Sequence, residues 1–405
     1  MDWNVGSEFG AMMKALREGK GLSLYALARR ITWSKAAVGH AETGFRTPST
    51  GLARALDEAL DANGVLIALA AATSTERRTF DDVKRRQLLK AIAASTAASG
   101  ASMRAVTPTG RLGQADVARA LERTAQLRRL DDVLGGTDTY SLYLAEVEKT
   151  ETVLNEGSYR DTIRKALLSL LAEQAQLAGW AAFDAGWTDR SARLYTRSRQ
   201  AAMAADDHEL LANALALDAY QRAFSGQVDV DLADASREAL SPAVSPRVRA
   251  LVHDRAAWSY ALAGLAAKSE AALSSAAQAL AMAPARPGPD WAAWVDTQEI
   301  DIMTGRCWSA LGRPIRAVPP LTRALDAFPE EYARDKALYL LALAEAYLHG
   351  REVEMAAEVI HRAHVLAAGV ASTRPKSRLT KTLLMAARYR GTNALRELRD
   401  QVADS

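Results

Sequence analysis

The glycines in the C-terminal part of the chain recur on a nearly fixed beat, and that beat limits the possible folds more than anything else in the sequence. Gly186, Gly226, Gly264, Gly312 and Gly350 are separated by 40, 38, 48 and 38 residues. Each interval holds one helix, a tight turn and a second helix. A hairpin of two helices cannot bury its own apolar face, so consecutive hairpins must stack into a solenoid. From about Leu112 onward apolar residues fall at helical spacing, and no segment shows the sustained period-two alternation of Val, Ile and Thr that strands need. The chain is therefore expected to be all-α.

Aligning the hairpins on their glycines brings out a second regularity. The residue six before each glycine is Trp180, Tyr220, Trp258, Arg306 and Ala344, and one or two turns earlier on that face lie Glu173, Gln176, Asn213, Asp254 and Glu299. Stacked first helices would line these groups along the concave wall of a superhelix. Gln176, Trp180, Asn213, Tyr220, Asp254, Trp258 and Glu299 are thus the expected effector-binding residues, with aromatic anchors beside amides and carboxylates. Asn213 is the most telling of them, because an amide pairs with both the donor and the acceptor of a peptide backbone. Trp291, Trp294 and His253 are weaker candidates for the same wall. Packing between helices is the competing explanation for the aromatic positions. The run from Leu177 to Trp187, followed by Ala192-Arg193-Leu194-Tyr195 and Ala201-Ala202, resembles a tetratricopeptide repeat, although the period exceeds the usual ~34 residues. The solenoid is accordingly read as degenerate, elongated hairpins of that type.

The segment from Phe9 to Leu56 follows different rules. Leu16, Leu22, Leu27, Ala28, Ile31, Val38, Ala41, Leu52 and Leu56 supply buried positions for a small helical domain, leaving Ser34, Lys35, His40 and Thr43 facing outward. Ser23 and Ser34 stand where N-caps belong, Gly44 where a helix stops, and Pro48 forbids continuation. Leu27 to Gly44 closely resembles the signature of the Xre/Cro/phage-repressor family, in its apolar skeleton, its Glu42 and its Gly44. The resemblance implies a lambda-repressor-like helix-turn-helix. It places the base-reading positions at Lys35, Ala36 and His40, and phosphate contacts at Ser23, Ser34, Thr43 and Arg46. Three positions depart from the family pattern and bear on affinity and sequence preference. Thr32 replaces the usual turn glycine, Leu24 a common phosphate-binding Gln, and Gly39 weakens the second helix.

Charge is distributed unevenly. Residues 1–130 carry 20 Lys and Arg against 12 Asp and Glu, while residues 131–405 carry 31 against 36, so the basic end coincides with the helix-turn-helix. Much of the excess lies in a connector that includes Arg77, Arg78, Lys84, Lys90, Arg104 and Arg111, suited to phosphates or to simple solvation. Within it, Arg85-Arg86 and the Ala/Ser-rich tract to Met103 look like a twin-arginine export signal. That motif begins more than eighty residues into the chain, behind a DNA-binding pattern, and its tract is poorly hydrophobic. The single cysteine, Cys307, excludes an internal disulfide framework and suits a reducing compartment. No apolar run is long enough for a bilayer. His361 and His364 lack further ligands at metal-site spacing, and neither a phosphate loop nor a nucleophile motif occurs. No catalytic residue, metal or cofactor is expected.

The sequence thus divides into a helix-turn-helix domain over 1–75, a basic Ala/Ser-rich linker over 76–111 and a helical repeat domain over 112–405. The whole resembles the actinobacterial helix-turn-helix regulators with a C-terminal tetratricopeptide domain, and is similar in plan to the peptide-sensing regulators of Gram-positive bacteria. That resemblance implies a cytoplasmic, homodimeric transcription regulator. It would bind a double-stranded DNA operator and sense a peptide or small-molecule effector, with no membrane partner. The rival reading is a protein–protein adaptor whose repeats dock a partner and whose DNA binding is weak. An exported scaffold beginning near Ala101 and an enzyme are more distant alternatives.

Overall fold

The computed structural model describes residues 5–43, 48, 50–62, 64–67, 69–70, 112–131, 136–283, 288–329, 332–368, 370, 372–389, 392, 395–396 and 398. Among them every regular element is helical, and they form two units, one up to residue 70 and one from residue 112. The basic connector with its Arg85-Arg86 pair lies outside the described residues.

The first unit contains α1 (Val5–Gly19), α2 (Leu24–Arg30), α3 (Lys35–Glu42) and α4 (Thr50–Leu60). Its core gathers Phe9, Met13, Leu27, Val38, Leu52, Leu56 and Leu66, with Leu16 and Leu22 half-buried at the edge. Two devices fix how these short helices meet. Gly10 lets α1 touch the end of α3, since a Cβ there would lie 2.3 Å from the Glu42 carbonyl oxygen. Buried Asp57 accepts hydrogen bonds from the Gly64 and Leu66 amides at 2.7 and 2.9 Å, closing the turn after α4.

The second unit comprises α5 (Gln114–Asp131), α6 (Gly136–Glu156), α7 (Asp161–Asp184), α8 (Thr188–Ala205), α9 (His208–Phe224), α10 (Val230–Glu238), α11 (Pro246–Leu262) and α12 (Ala266–Ala281). It continues with α13 (Thr297–Ala310), α14 (Pro314–Ala327), α15 (Ala333–His349), α16 (Val353–Ala368) and α17 (Arg374–Ala386). Hairpins α7–α8, α9–α10, α11–α12, α13–α14 and α15–α16 stack so that α7, α9, α11, α13, α15 and α17 pack in succession.

The glycine beat has a common physical cause. Gly186, Gly226, Gly264 and Gly312 take φ of 85, 84, 75 and 65°, the left-handed geometry that ends a first helix. The next residue then donates back five positions: Trp187 to Ala182, Gln227 to Arg222, Leu265 to Tyr260 and Arg313 to Trp308, at 2.8–2.9 Å. The fifth hairpin differs from the expected register. Gly350 keeps a helical φ of −79°, and Arg351 beside it takes the left-handed position at 62°.

The solenoid closes on itself. Asp184, at the end of α7 and fully buried, accepts from the Ser372 hydroxyl at 2.8 Å and from the Gly136 amide at 3.0 Å, and it pairs with Arg374 at 3.3 Å and Arg334 at 3.7 Å. The Thr373 amide donates to the Asp184 carbonyl at 3.0 Å, and Lys381 on α17 donates to the Phe224 carbonyl at 3.2 Å. The last stacked helix is thereby tied to the first two hairpins.

Candidate functional site

In the first unit the sequence builds two adjacent helix starts with the same chemistry. The Ser23 hydroxyl accepts from the Ala26 amide and the Ser34 hydroxyl from the Ala37 amide, each at 3.1 Å, and neither α2 nor α3 has an acidic residue in its first turn. Both helices therefore present an unneutralised positive dipole end, the arrangement that attracts phosphate. Lys35 is exposed on the first turn of α3, and His40 is half-buried near its end. Thr43 is exposed, but its hydroxyl donates to the Gly39 carbonyl at 3.0 Å, which commits that hydrogen to the helix end. Arg46 and the Ala36 side chain lie outside the described residues.

Glu42, the acid of the family signature, turns inward to a structural task. Arg17 on α1 grips it with two bonds, Nε to Oε2 at 2.5 Å and Nη2 to Oε1 at 2.8 Å, while Arg17 Nη1 donates to the Leu22 carbonyl at 2.7 Å. One guanidinium thus locks α1, the following turn and α3 together. The pairing also raises the Arg17 pKa, chiefly through its hydrogen bonds to Glu42. Sequence reasoning passed over Arg17, and also Tyr25, which stands 60% exposed on the first turn of α2. A signal for Tyr25 was available: an aromatic residue one position inside a helix start, where the core pattern asks for nothing apolar.

In the second unit the aligned positions do meet. The Trp180 and Tyr220 rings lie 5.8 Å apart and the Tyr220 and Trp258 rings 4.8 Å apart, tilted by 37 and 36°. Arg306, the fourth member of the register, stacks 4.5 Å over Trp258 and donates to the Tyr220 hydroxyl at 3.1 Å. Arg374 covers Trp180 from the other end at 4.6 Å. The carboxylates of the wall meet Arg255, which reaches Asp254 at 3.0 Å and Glu299 at 2.8 Å. Gln176 and Asn213 form a separate group, with Asn213 Nδ2 donating to Gln176 Oε1 at 2.6 Å and Gln176 donating to the Leu210 carbonyl at 2.8 Å.

The wall is thus a closed interior. Trp180 is half-buried and the other six expected effector residues are buried, filled by one another and by the chain's own arginines. Its electrostatics are those of a dry site. Burial drives the Asp254 carboxyl well above the usual carboxylate range, with Arg255 opposing and Glu299 adding to the rise, and Oδ1 of Asp254 has no hydrogen-bond partner. Tyr220 is lowered despite its burial, because Arg306, Arg374 and Arg255 converge on it. Burial also pushes the Cys307 thiol far up, which leaves it inert as a nucleophile. His253 and the exposed Trp294 sit at the margins, with Trp294 beneath Arg255 at 5.4 Å. No group of His, Cys, Asp and Glu that could hold a metal ion occurs among the described residues.

Residues 8–70 match the family model of a helix-turn-helix domain. No curated protein and no solved structure matches the chain. The match, with two helix starts that carry no acidic residue in their first turns, supports a DNA-binding regulator. Among the described residues no helix is long and apolar enough to cross a membrane.

Proposed function

We propose that this protein is a sequence-specific, DNA-binding transcription regulator of the Xre/Cro type, acting as a homodimer in the cytoplasm, whose tetratricopeptide-like unit senses a peptide or small-molecule effector. The observation that carries the reading is the pair of serine-capped, acid-free helix starts within the matched segment, with Lys35 exposed on the second. In this reading Ser23, Ser34, Arg46 and Tyr25 contact phosphates, Thr43 does so once its hydroxyl leaves the Gly39 carbonyl, and Lys35, Ala36 and His40 are the base-reading positions; lysine bonds guanine and an alanine methyl contacts thymine. A dimer would place two heads on half-sites about one helical turn apart.

Effector sensing rests on the interior of Gln176, Trp180, Asn213, Tyr220, Asp254, Trp258 and Glu299. Because that interior is filled, a ligand entering it would exchange contacts with Arg255, Arg306 and Arg374, and the clasp at Asp184 is the natural place for the ring to yield. Such a ligand would act by favouring one of two populations, ring closed or ring open.

Lys35→Ala and His40→Ala, measured separately on a selected operator and on random DNA, test the DNA-binding half. Each should cost about 1–3 kcal/mol on the operator and much less on random DNA. Equal losses on both would remove the base-reading assignment.

A further inference from the structure

Away from the aromatic interior, a cavity of about 450 Å³ opens between α5, α7, the start of α9 and the turn at Pro289–Trp291. Its walls are of two kinds. Leu121, Leu210 and the Trp291 indole supply hydrocarbon, while Glu122, Glu173, Asp207, Glu209 and Asp290 bring five carboxylates against the single guanidinium of Arg128. Arg128 spends itself on two of them, bonding Asp290 at 2.7 Å and Glu173, and its Nε is buried with no partner. Backbone amides take one oxygen each of Asp207 and Glu209, from Leu210 at 3.1 Å and from Ser245 at 2.6 Å, and no cation pairs with either among the described residues. Glu173 sits nine-tenths buried at the back. Burial raises its pKa, Arg128 only partly opposes this, and Asp290 and Asp207 reinforce it. A second cavity of about 310 Å³ shares Ser169, Asp207 and Glu209 and lengthens the site past His208.

We infer that this cavity binds a protonated amine carried on an apolar body, with the ammonium among the carboxylates of Glu173, Asp290, Asp207 and Glu209 and the hydrocarbon against Trp291 and Leu210. A recess of this size, open to solvent on one side and setting a hydrocarbon wall beside convergent carboxylates, has room for both the apolar body and the charged end of a small molecule. The sign of the uncompensated charge selects a cation, and the indole face adds to that preference. An anionic or neutral ligand would leave the carboxylates desolvated and unpaired. The inference rests on reading the second unit as the sensing unit, and it adds to the aromatic interior a second, separate ligand site with its own class of ligand. Arg128 stands on α5, the first described helix after residues 71–111. An ammonium competing for Glu173 and Asp290 would loosen the hold of α5 on α7, which is a direct way for occupancy to reach the connector.

The test titrates the full chain with n-octylammonium and, in parallel, n-octanoate by isothermal calorimetry at pH 7. The amine should bind saturably with one site per chain, at least about ten-fold tighter than the carboxylate, as a charged hydrogen bond implies. Glu173→Gln should weaken the amine by about ten-fold or more. The Glu122→Gln/Asp290→Asn double variant, which changes only exposed side chains, should weaken it several-fold with the fold intact. Absence of saturable amine binding, equal binding of both probes, or unchanged affinity in the double variant would overturn the proposal. Operator retention by the unliganded protein is read separately, so failure of amine binding leaves the DNA-binding reading standing, and loss of DNA binding leaves the site assignment standing.

Discussion

Thr32 sits in the turn between α2 and α3 with φ of 60°, where a β-branched residue is strained and the family pattern has glycine. Thr32→Gly should therefore stabilise the first unit by about 0.5–1 kcal/mol in denaturant melts, the relieved strain exceeding the entropy glycine loses on folding. A loss of stability would mean that the threonine makes contacts worth more than its backbone cost. His253 offers a residue-scale test in the second unit. Burial, with Arg237 and Arg249 adding their charge, lowers its pKa from 6.5 to about 4, and Arg237 Nε donates to its Nδ1 at 3.2 Å, a bond that requires the neutral ring. Between these values the unfolded chain takes up a proton that the folded chain refuses. Stability from this group is thus complete above pH 6.5 and is lost as pH falls toward 4. The loss should be on the order of 1–2 kcal/mol, below the full shift because the ring is partly solvated. His253→Gln should flatten that part of the stability–pH curve, and an unchanged slope would place the proton elsewhere.

At the scale of elements, Arg351 stands where the other hairpins place a left-handed glycine, so Arg351→Gly should stabilise the α15–α16 hairpin by about 0.5–1 kcal/mol. Hydrogen exchange of the α16 amides would register the gain, and faster exchange would show that the arginine side chain anchors the turn. This hairpin also shows what a sequence can and cannot display. The glycine beat was legible because positive φ leaves a residue-type signature, and helix starts were legible because serine caps do. The aligned Trp180, Tyr220, Trp258 and Arg306 were legible as a shared face, and their rings and guanidinium do stack. Depth was not legible. Periodicity says which residues share a face but not whether that face meets solvent or its own neighbours, and the groove expected from the stripe is a filled interior. Equally hidden was the bond inside a hairpin from the Ser191 hydroxyl on α8 to the Gly179 carbonyl on α7 at 2.7 Å, echoed by Ser269 to Ala257 at 3.0 Å. A serine five places after a glycine acquires meaning only once the hairpin brings it against the preceding helix.

At the scale of the whole molecule, the second unit depends on a contact spanning 188–190 residues of sequence, from Asp184 to Ser372 and Arg374. No local pattern announces such a closure, because a single buried aspartate looks like any other. Asp184→Ala should cost about 3–5 kcal/mol by stranding the arginines it neutralises, and small-angle scattering should show an expanded second unit; an unchanged radius would mean that apolar packing alone closes the ring. The central claim, that the helix-turn-helix reads sequence, is tested most directly by mixing purified protein with sheared genomic DNA at near-physiological salt and sequencing what it retains, with Lys35→Ala run in parallel. The account predicts a few sharply enriched, two-fold-symmetric sites that disappear in the variant. Diffuse retention indifferent to Lys35 would contradict it and favour an adaptor whose repeats dock a partner protein.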